Sequence, residues 1–402
     1  SEEDQLSGLP ESALDLAAQT ASQHGQEGWM LNLEFPSYFP VITYADNREL
    51  RREMYEAYCT RASDKGPHAG IYDNTDIMDK ILDLRHEQAL LLGFNNYAER
   101  SLSKKMARTT EEVMNFLQDL AQRAKPQARR ELDELEAFAR EQYAVEELES
   151  WDIPYYSEKL RQHRYDISQE DLKPYFPDSK VISGMFEVIG RLFDVSIAET
   201  PIPADTWHPD VRIYEIRGAK GDVRGQFYFD LYARPHKRGG AWMADCISRM
   251  KNSRREQIPV AFMTCNFTPP VGDKPALLTH TEVETLFHEF GHGLQHMLTT
   301  VDCSAVSGIS GVAWDAVELP SQFMENWCWQ KEALNLISGH YETGQPLPDE
   351  LFQRMLAAKN FQSGMAMLRQ LEFSLFDFRI YMEYEPARTG RIYEILNQVR
   401  QQ

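Results

Sequence analysis

Over roughly the first half of the chain, apolar side chains recur every three or four positions and charged ones fill the gaps. That period places the apolar set on one face of an α-helix. Asp46 is a good N-cap for a helix through Leu50, Met54 and Tyr58. Asn74 or Thr75 opens the next helix, which carries Ile77, Ile81, Leu84 and Ala89 and closes at Gly93, a residue suited to the C′ position. Thr109 and Glu112 form a capping box, and Val113, Phe116, Leu117, Leu120 and Ala124 follow on one face. Pro126 is expected to break that helix, because its nitrogen cannot donate. Ala128, Leu132, Leu135 and Phe138 then resume the pattern on a second helix. Such stripes read as helical-bundle core rather than as functional faces.

Near residue 205 the period shortens to two. The run 211–216 alternates, 218–221 has turn chemistry, and 226–232 is a second alternating run, so the pair reads as a hairpin. Residues 260–267 read as a third strand, and from Thr281 onward the helical period returns. There is no internal repeat and no low-complexity tract. The expectation is a mainly α protein. Residues 1–205 form a helical lobe, and 206–402 hold a small, mostly antiparallel sheet together with the helices that carry chemistry.

Composition narrows the function classes. The chain has 402 residues, 42% hydrophobic and 26% charged, which is globular and long enough to bury a core without disulfide staples. Lys+Arg number 42 against 62 Asp+Glu, a net charge of −20, which argues against a phosphate-backbone partner. Cys59, Cys246, Cys265, Cys303 and Cys328 are odd in number, widely spaced and without a C-x-x-C pair, so a reduced, cytoplasmic chain is expected. No apolar stretch approaches the roughly 18 residues of a membrane span, and the acidic N-terminus is unlike a signal peptide. The expected partners are therefore neither nucleic acid nor membrane, and no obligate protein partner is evident.

One segment carries chemistry. His288-Glu289-Phe290-Gly291-His292 is an H-E-x-x-H motif. On a helix, i and i+4 share a face, so both imidazoles reach one Zn2+ while Glu289 stands beside it as a general base. Thr281 with Glu284 is expected to cap this helix, and Val283, Leu286, Phe287 and Phe290 form its apolar face. Gly291 and Gly293 each weaken the helix by ~1 kcal/mol relative to Ala, which suggests close packing beside the histidines. Arg85-His86-Glu87 begins the same motif but has Leu90 at the second histidine position, so His86 reads as a helix-surface residue. His296 lies about 12 Å along the axis from His288 and cannot share its ion. Leu298 stands where a metzincin would have its third histidine.

A catalytic zinc takes three protein ligands and keeps one position open. The downstream carboxylates are Asp302, Asp315, Glu318 and Glu325. Pro320 belongs in the first turn of a helix, which sets Glu318 at its N-terminus, able to point across to the histidines. The residues alone leave the choice open. Glu318 is preferred, with Asp315 and Glu325 as partners of the histidines or as caps.

These residues resemble the M3 family of zinc metallopeptidases, the thimet oligopeptidase and oligopeptidase A group. The likeness rests on His288 through His296, on Ser307-Gly-Ile-Ser-Gly311, and on Trp314-Asp-Ala-Val-Glu318 continuing to Trp327. Gly225 to Tyr232, Lys237-Arg-Gly-Gly-Ala-Trp242, and Asp73-Asn-Thr75 with Arg85 extend it over essentially the whole chain. The resemblance implies a two-lobed helical fold with a small sheet and one Zn2+ per chain. It implies His288, His292 and Glu318 as ligands and Glu289 as general base. The implied activity is hydrolysis of internal bonds in short, unfolded peptides. It further implies that family members run longer at both ends, and that a Gly/Tyr-rich segment beyond Gln402 supplies substrate and oxyanion contacts. A zinc-binding but inactive, or merely peptide-binding, fragment is the alternative. Ser338 to Gly344 has the residue types of that segment, but its glycine-flanked character reads as a structural turn. The strand at Cys265-Asn266-Phe267 is a candidate for substrate binding by strand addition. An aminopeptidase's G-x-M-E-N run and a serine hydrolase's G-x-S-x-G are both absent.

Overall fold

The alternating runs form one five-stranded sheet and a separate two-stranded hairpin. The strands are β1 (Val195–Glu199), β2 (Arg212–Gly218), β3 (Val223–Tyr232), β4 (Trp242–Ile247), β5 (Met250–Lys251), β6 (Glu256–Gln257) and β7 (Val260–Phe267). The sheet order is β1-β2-β3-β7-β4, and β5 pairs with β6. Pairings β1–β2, β2–β3 and β7–β4 are antiparallel, while β3–β7 is parallel, with Phe227 opposite Ala261. The sheet is therefore mixed, and both β1 and β4 escape the sequence pattern. β1 is short and alternates weakly in burial, and β4 has no buried residue, so neither shows the signature of a core strand. In contrast, β7 buries Ala261, Met263, Cys265 and Phe267 together with Val260 and Thr264, as a strand covered on both faces should.

The computed structural model describes residues 3–201, 206–386, 388 and 390–402. The chain divides into two compact units. One comprises Ser1–Asp46, Arg161–Val312 and Ala316–Ala358; the other comprises Asn47–Leu160, Ala313–Asp315 and Lys359–Gln402. These units interleave along the sequence, whereas the change of texture near residue 205 marks where strands begin. The first unit holds the sheet and a large core in which Phe227 and Phe229 of β3 meet Phe290, with ring centroids 5.1 and 5.9 Å apart. The second is helical. Its core joins Leu135 and Ala139 to Tyr155, Tyr156 and Leu160. Among the described residues no helix is long and apolar enough to cross a membrane.

Three expected boundaries shift, each for a local reason. The helix Arg48–Cys59 is capped by Asn47, whose side chain accepts from the N–H groups of Glu49 and Leu50; Asp46 instead accepts the Ser7 hydroxyl. Pro126 lies inside one continuous helix, Thr110–Tyr143. The proline removes a single backbone hydrogen bond, and burial of Ala128, Leu135 and Ala139 on the same face outweighs that loss. Glu131 of this helix also accepts the N–H groups of Gly364 and Met365 and so caps the helix Ser363–Met382. The third shift concerns the helix that carries the two histidines.

Candidate metal centre

That helix spans His280–Met297 and is capped by Thr279, not Thr281. Two T-x-x-E patterns overlap here, and the earlier one closes. The Thr279 hydroxyl accepts from Glu282 N at 3.1 Å, and the Glu282 carboxylate accepts from Thr279 N at 2.8 Å. Glu284, freed from capping, accepts the Trp329 indole N–H at 2.6 Å. Val283, Leu286, Phe287, Phe290, Leu294 and Met297 bury one face in the core. His288 and His292 point away from it, with side chains 25% and 11% exposed.

The glycines let two elements approach this helix. A Cβ on Gly291 would lie 2.5 Å from Ser321 Cα and 2.6 Å from the Pro320 carbonyl oxygen. The short helix Leu319–Glu325 therefore crosses with its backbone against Gly291. That crossing delivers Glu318, its N-cap residue, to the histidines. Glu318 Oε2 is 3.1 Å from His288 Nε2 and 3.2 Å from His292 Nε2. The donor atoms of these three residues all lie within 4.8 Å of one another. About two turns further on, Glu325 Oε1 is 2.6 Å from His288 Nδ1. With its Nδ1–H donated to Glu325, His288 turns the lone pair of Nε2 toward Glu318. Two lone-pair nitrogens and a carboxylate oxygen then face one point, an arrangement that repels unless a cation sits there. The donor set fits a zinc ion.

Glu289 lies beside this cluster and is 6% exposed. Burial pushes its carboxyl up to about 7; the interaction with His288 opposes this, the Glu318 carboxylate adds to it, and the Met243 N–H of β4 opposes it. For His292, burial lowers the pKa against the opposing pull of the Glu318 carboxylate, and so favours the neutral ring.

The remaining candidates fall elsewhere. Asp315 belongs to the other compact unit, where its carboxylate accepts the N–H groups of Met106 and Ala107 at 2.9 Å and so anchors the loop between the helices Tyr97–Leu102 and Thr110–Tyr143. His296 is fully buried; its Nε2 meets the Ile247 carbonyl at 2.9 Å, and a Cβ on Gly308 would lie 2.6 Å from its Nδ1. It ties the helix to the end of β4 and to the loop beyond. The 338–344 segment is a turn pinned to Tyr175 and Pro174 through Gly339 N and Tyr341 N, both at 2.8 Å.

The strand-addition candidate requires correction. Cys265 and Phe267 are buried core residues, and Asn266 bonds the carbonyls of Arg238 and Gly240. Because β7 has β3 on one side and β4 on the other, it offers no free edge. Of the two edge strands, β4 is the one that packs against the helix His280–Met297, which carries Glu289. Sequence pattern gave no sign of this, since a strand's place in the sheet order is not encoded in its alternation.

Comparison with known proteins agrees with the geometry. Residues 41–402 match the profile described as peptidase family M3, and the chain belongs to that family. It is 57% identical over 402 residues to oligopeptidase A of Salmonella typhimurium, covering 100% of this chain and 59% of that protein. It is 57% identical over 400 residues to oligopeptidase A of Escherichia coli, again covering 59% of the relative. A dipeptidyl carboxypeptidase of Escherichia coli is 33% identical over 378 residues, covering 93% of this chain and 54% of the relative. The chain thus spans about 59% of the length of the oligopeptidase A relatives it matches.

Proposed function

We propose that this chain is the metal-binding part of a zinc-dependent endo-oligopeptidase that hydrolyses internal bonds of short, unfolded peptides with an activated water. The observation that carries this reading is the convergence of His288, His292 and Glu318 within 4.8 Å, with Glu289 buried alongside. His288 Nε2, His292 Nε2 and the Glu318 carboxylate would hold the ion. When bound, zinc supplies Lewis-acid polarisation of the scissile carbonyl and lowers the pKa of water toward ~7.

The residues of the chain do the rest. Glu289 takes the proton of the attacking water and passes it to the leaving amine. Glu325 fixes the tautomer and orientation of His288 through the Nδ1 hydrogen bond. The outer edge of β4, an edge strand beside Glu289, is suited to pairing with an extended peptide. Closed hydrogen-bond pairing along such an edge would admit unfolded chains and exclude folded ones. The names of the oligopeptidase A relatives agree with an enzyme that acts on oligopeptides, and a more distant relative is named a dipeptidyl carboxypeptidase.

Zinc titration of metal-free protein tests the ligand set. About one zinc per chain is expected, with His288→Ala, His292→Ala and Glu318→Ala each losing high-affinity binding. Undiminished binding in all three variants would refute the assignment.

A further inference from the structure

The link between β3 and β4 is held from behind at several points. Asp230, 4% exposed near the end of β3, accepts the Trp207 indole N–H at 2.8 Å and both ends of the Arg234 guanidinium at 2.6 and 2.8 Å. The Lys237 side chain is only 5% exposed. Its ammonium donates to the Asp230 carbonyl at 2.9 Å, the Asp230 carboxylate at 2.8 Å and the Tyr232 carbonyl at 2.7 Å. All three of its hydrogens are then used. The backbone is in the left-handed region at His236 (φ 66°), between these anchors, and at Gly240 (φ 92°), three residues beyond Lys237. Such a conformation at a histidine persists only where its surroundings hold it.

Beyond Lys237 the chain is exposed through Arg238, Gly239 and Gly240 before it enters β4 at Trp242. Two adjacent glycines ahead of an edge strand would let the start of that strand fray. Asn266 of β7 opposes this. Its Nδ2 donates both hydrogens, to the Arg238 carbonyl at 2.8 Å and to the Gly240 carbonyl at 2.6 Å. The next pairings are Trp242 with Thr264 and Met243 with Met263. Trp242 and Met243 belong to β4, the edge strand that packs against the helix His280–Met297, which carries Glu289. A short chain of contacts thus connects a side chain in the middle of the sheet to the edge beside the proposed base.

We propose that Asn266, backed by the Lys237–Asp230 clamp, is a positioning residue that sets the start of β4 so that its outer edge receives substrate beside Glu289. This rests on the peptidase reading above. A preformed edge spares the peptide the cost of ordering the strand on binding, so the clamp acts on substrate affinity rather than on the metal or the proton transfer.

Asn266→Ala and Asn266→Asp test it in the whole chain. Aspartate keeps the shape but has no hydrogens to donate and sets an anionic oxygen against two carbonyls. Both variants should bind zinc as the parent does. Amide hydrogen exchange should quicken over 238–243 and stay unchanged over 283–297. In a Glu289→Gln background, where binding is read without cleavage, the dissociation constant of a fluorescent ten-residue peptide should rise about tenfold, the loss expected for two hydrogen bonds. In the cleaving enzyme KM should rise by a similar factor with kcat held. If Asn266→Asp does not fold, Asn266→Ala alone decides. Unchanged exchange over 238–243, or faster exchange with unchanged peptide affinity, overturns the proposal. A parent that binds peptide normally while Asn266→Ala matches it overturns this inference alone. A parent that binds no peptide overturns the peptidase reading and this inference with it.

Discussion

Glu325 and Glu289 are two carboxylates near the proposed metal site, and their contacts suit them to different jobs. Glu325 touches His288 Nδ1, on the far side of the ring from the point where the donors meet. Removing it leaves the imidazole free to rotate and its tautomer undecided. Glu325→Ala should therefore weaken zinc affinity by about 10–100-fold, read by competition with a chromogenic chelator. Glu289 supplies no ligand. Glu289→Gln should keep zinc affinity and lose turnover by about 10²–10⁴-fold, the range for a positioned proton carrier. The two histidines and Glu289 are legible in the sequence because a helical period ties them to one another. Glu318 is less so. Its separation from Asp315 and Glu325 along the chain says little, because the direction in which the preceding loop delivers them depends on packing at Gly291. The structure sends Asp315 to the loop N–H groups of Met106 and Ala107 and brings Glu318 and Glu325 to His288.

At the scale of elements, the site is a crossing of two helices made possible by a missing side chain. The short helix Leu319–Glu325 comes so close to the helix His280–Met297 that no Cβ fits at Gly291. Gly291→Ala should push the two apart. It is expected to lower stability by about 1–3 kcal/mol, and to weaken zinc binding as Glu318 withdraws. Gly293→Ala is the control. There the nearest atom to the added methyl would be Met263 Sδ, at 2.9 Å, and a flexible thioether can yield. Thermal unfolding with zinc titration of both variants checks the contrast: stability and zinc affinity both fall in Gly291→Ala, while Gly293→Ala keeps the parent's zinc affinity. The cost of two glycines in a helix was visible in the sequence and pointed to close packing. Which element packs there was not, because ridge-and-groove complementarity is a property of both partners. The sheet illustrates the same limit. Its central strands announce themselves by burial, while β1 and β4, half-exposed at the edges, do not.

In the whole molecule, among the described residues, each compact unit contains one buried aspartate neutralised by basic side chains. Burial alone would raise the Asp230 carboxyl, but hydrogen bonds from Arg234, Lys237 and Trp207 outweigh it and hold the pKa well below the usual carboxylate range. In the other unit, Asp152 is fully buried; burial again opposes ionisation, and Arg48 and Arg51 overcome it. A carboxylate whose folded pKa is depressed contributes stability that is present above its unfolded pKa of ~4 and fades as pH falls below that value. Denaturant unfolding near pH 7 and near pH 3 should show this loss, and Asp230→Asn should flatten it while costing about 3–5 kcal/mol near neutrality, because it strands buried positive charge. The central claim concerns chemistry, and cleavage of an internally quenched ten-residue peptide by the 402-residue chain tests it most directly. Internal cleavage that stops on chelation, returns with zinc and is absent in Glu289→Gln is the predicted result. Cleavage that survives chelation or persists undiminished in Glu289→Gln would contradict the account.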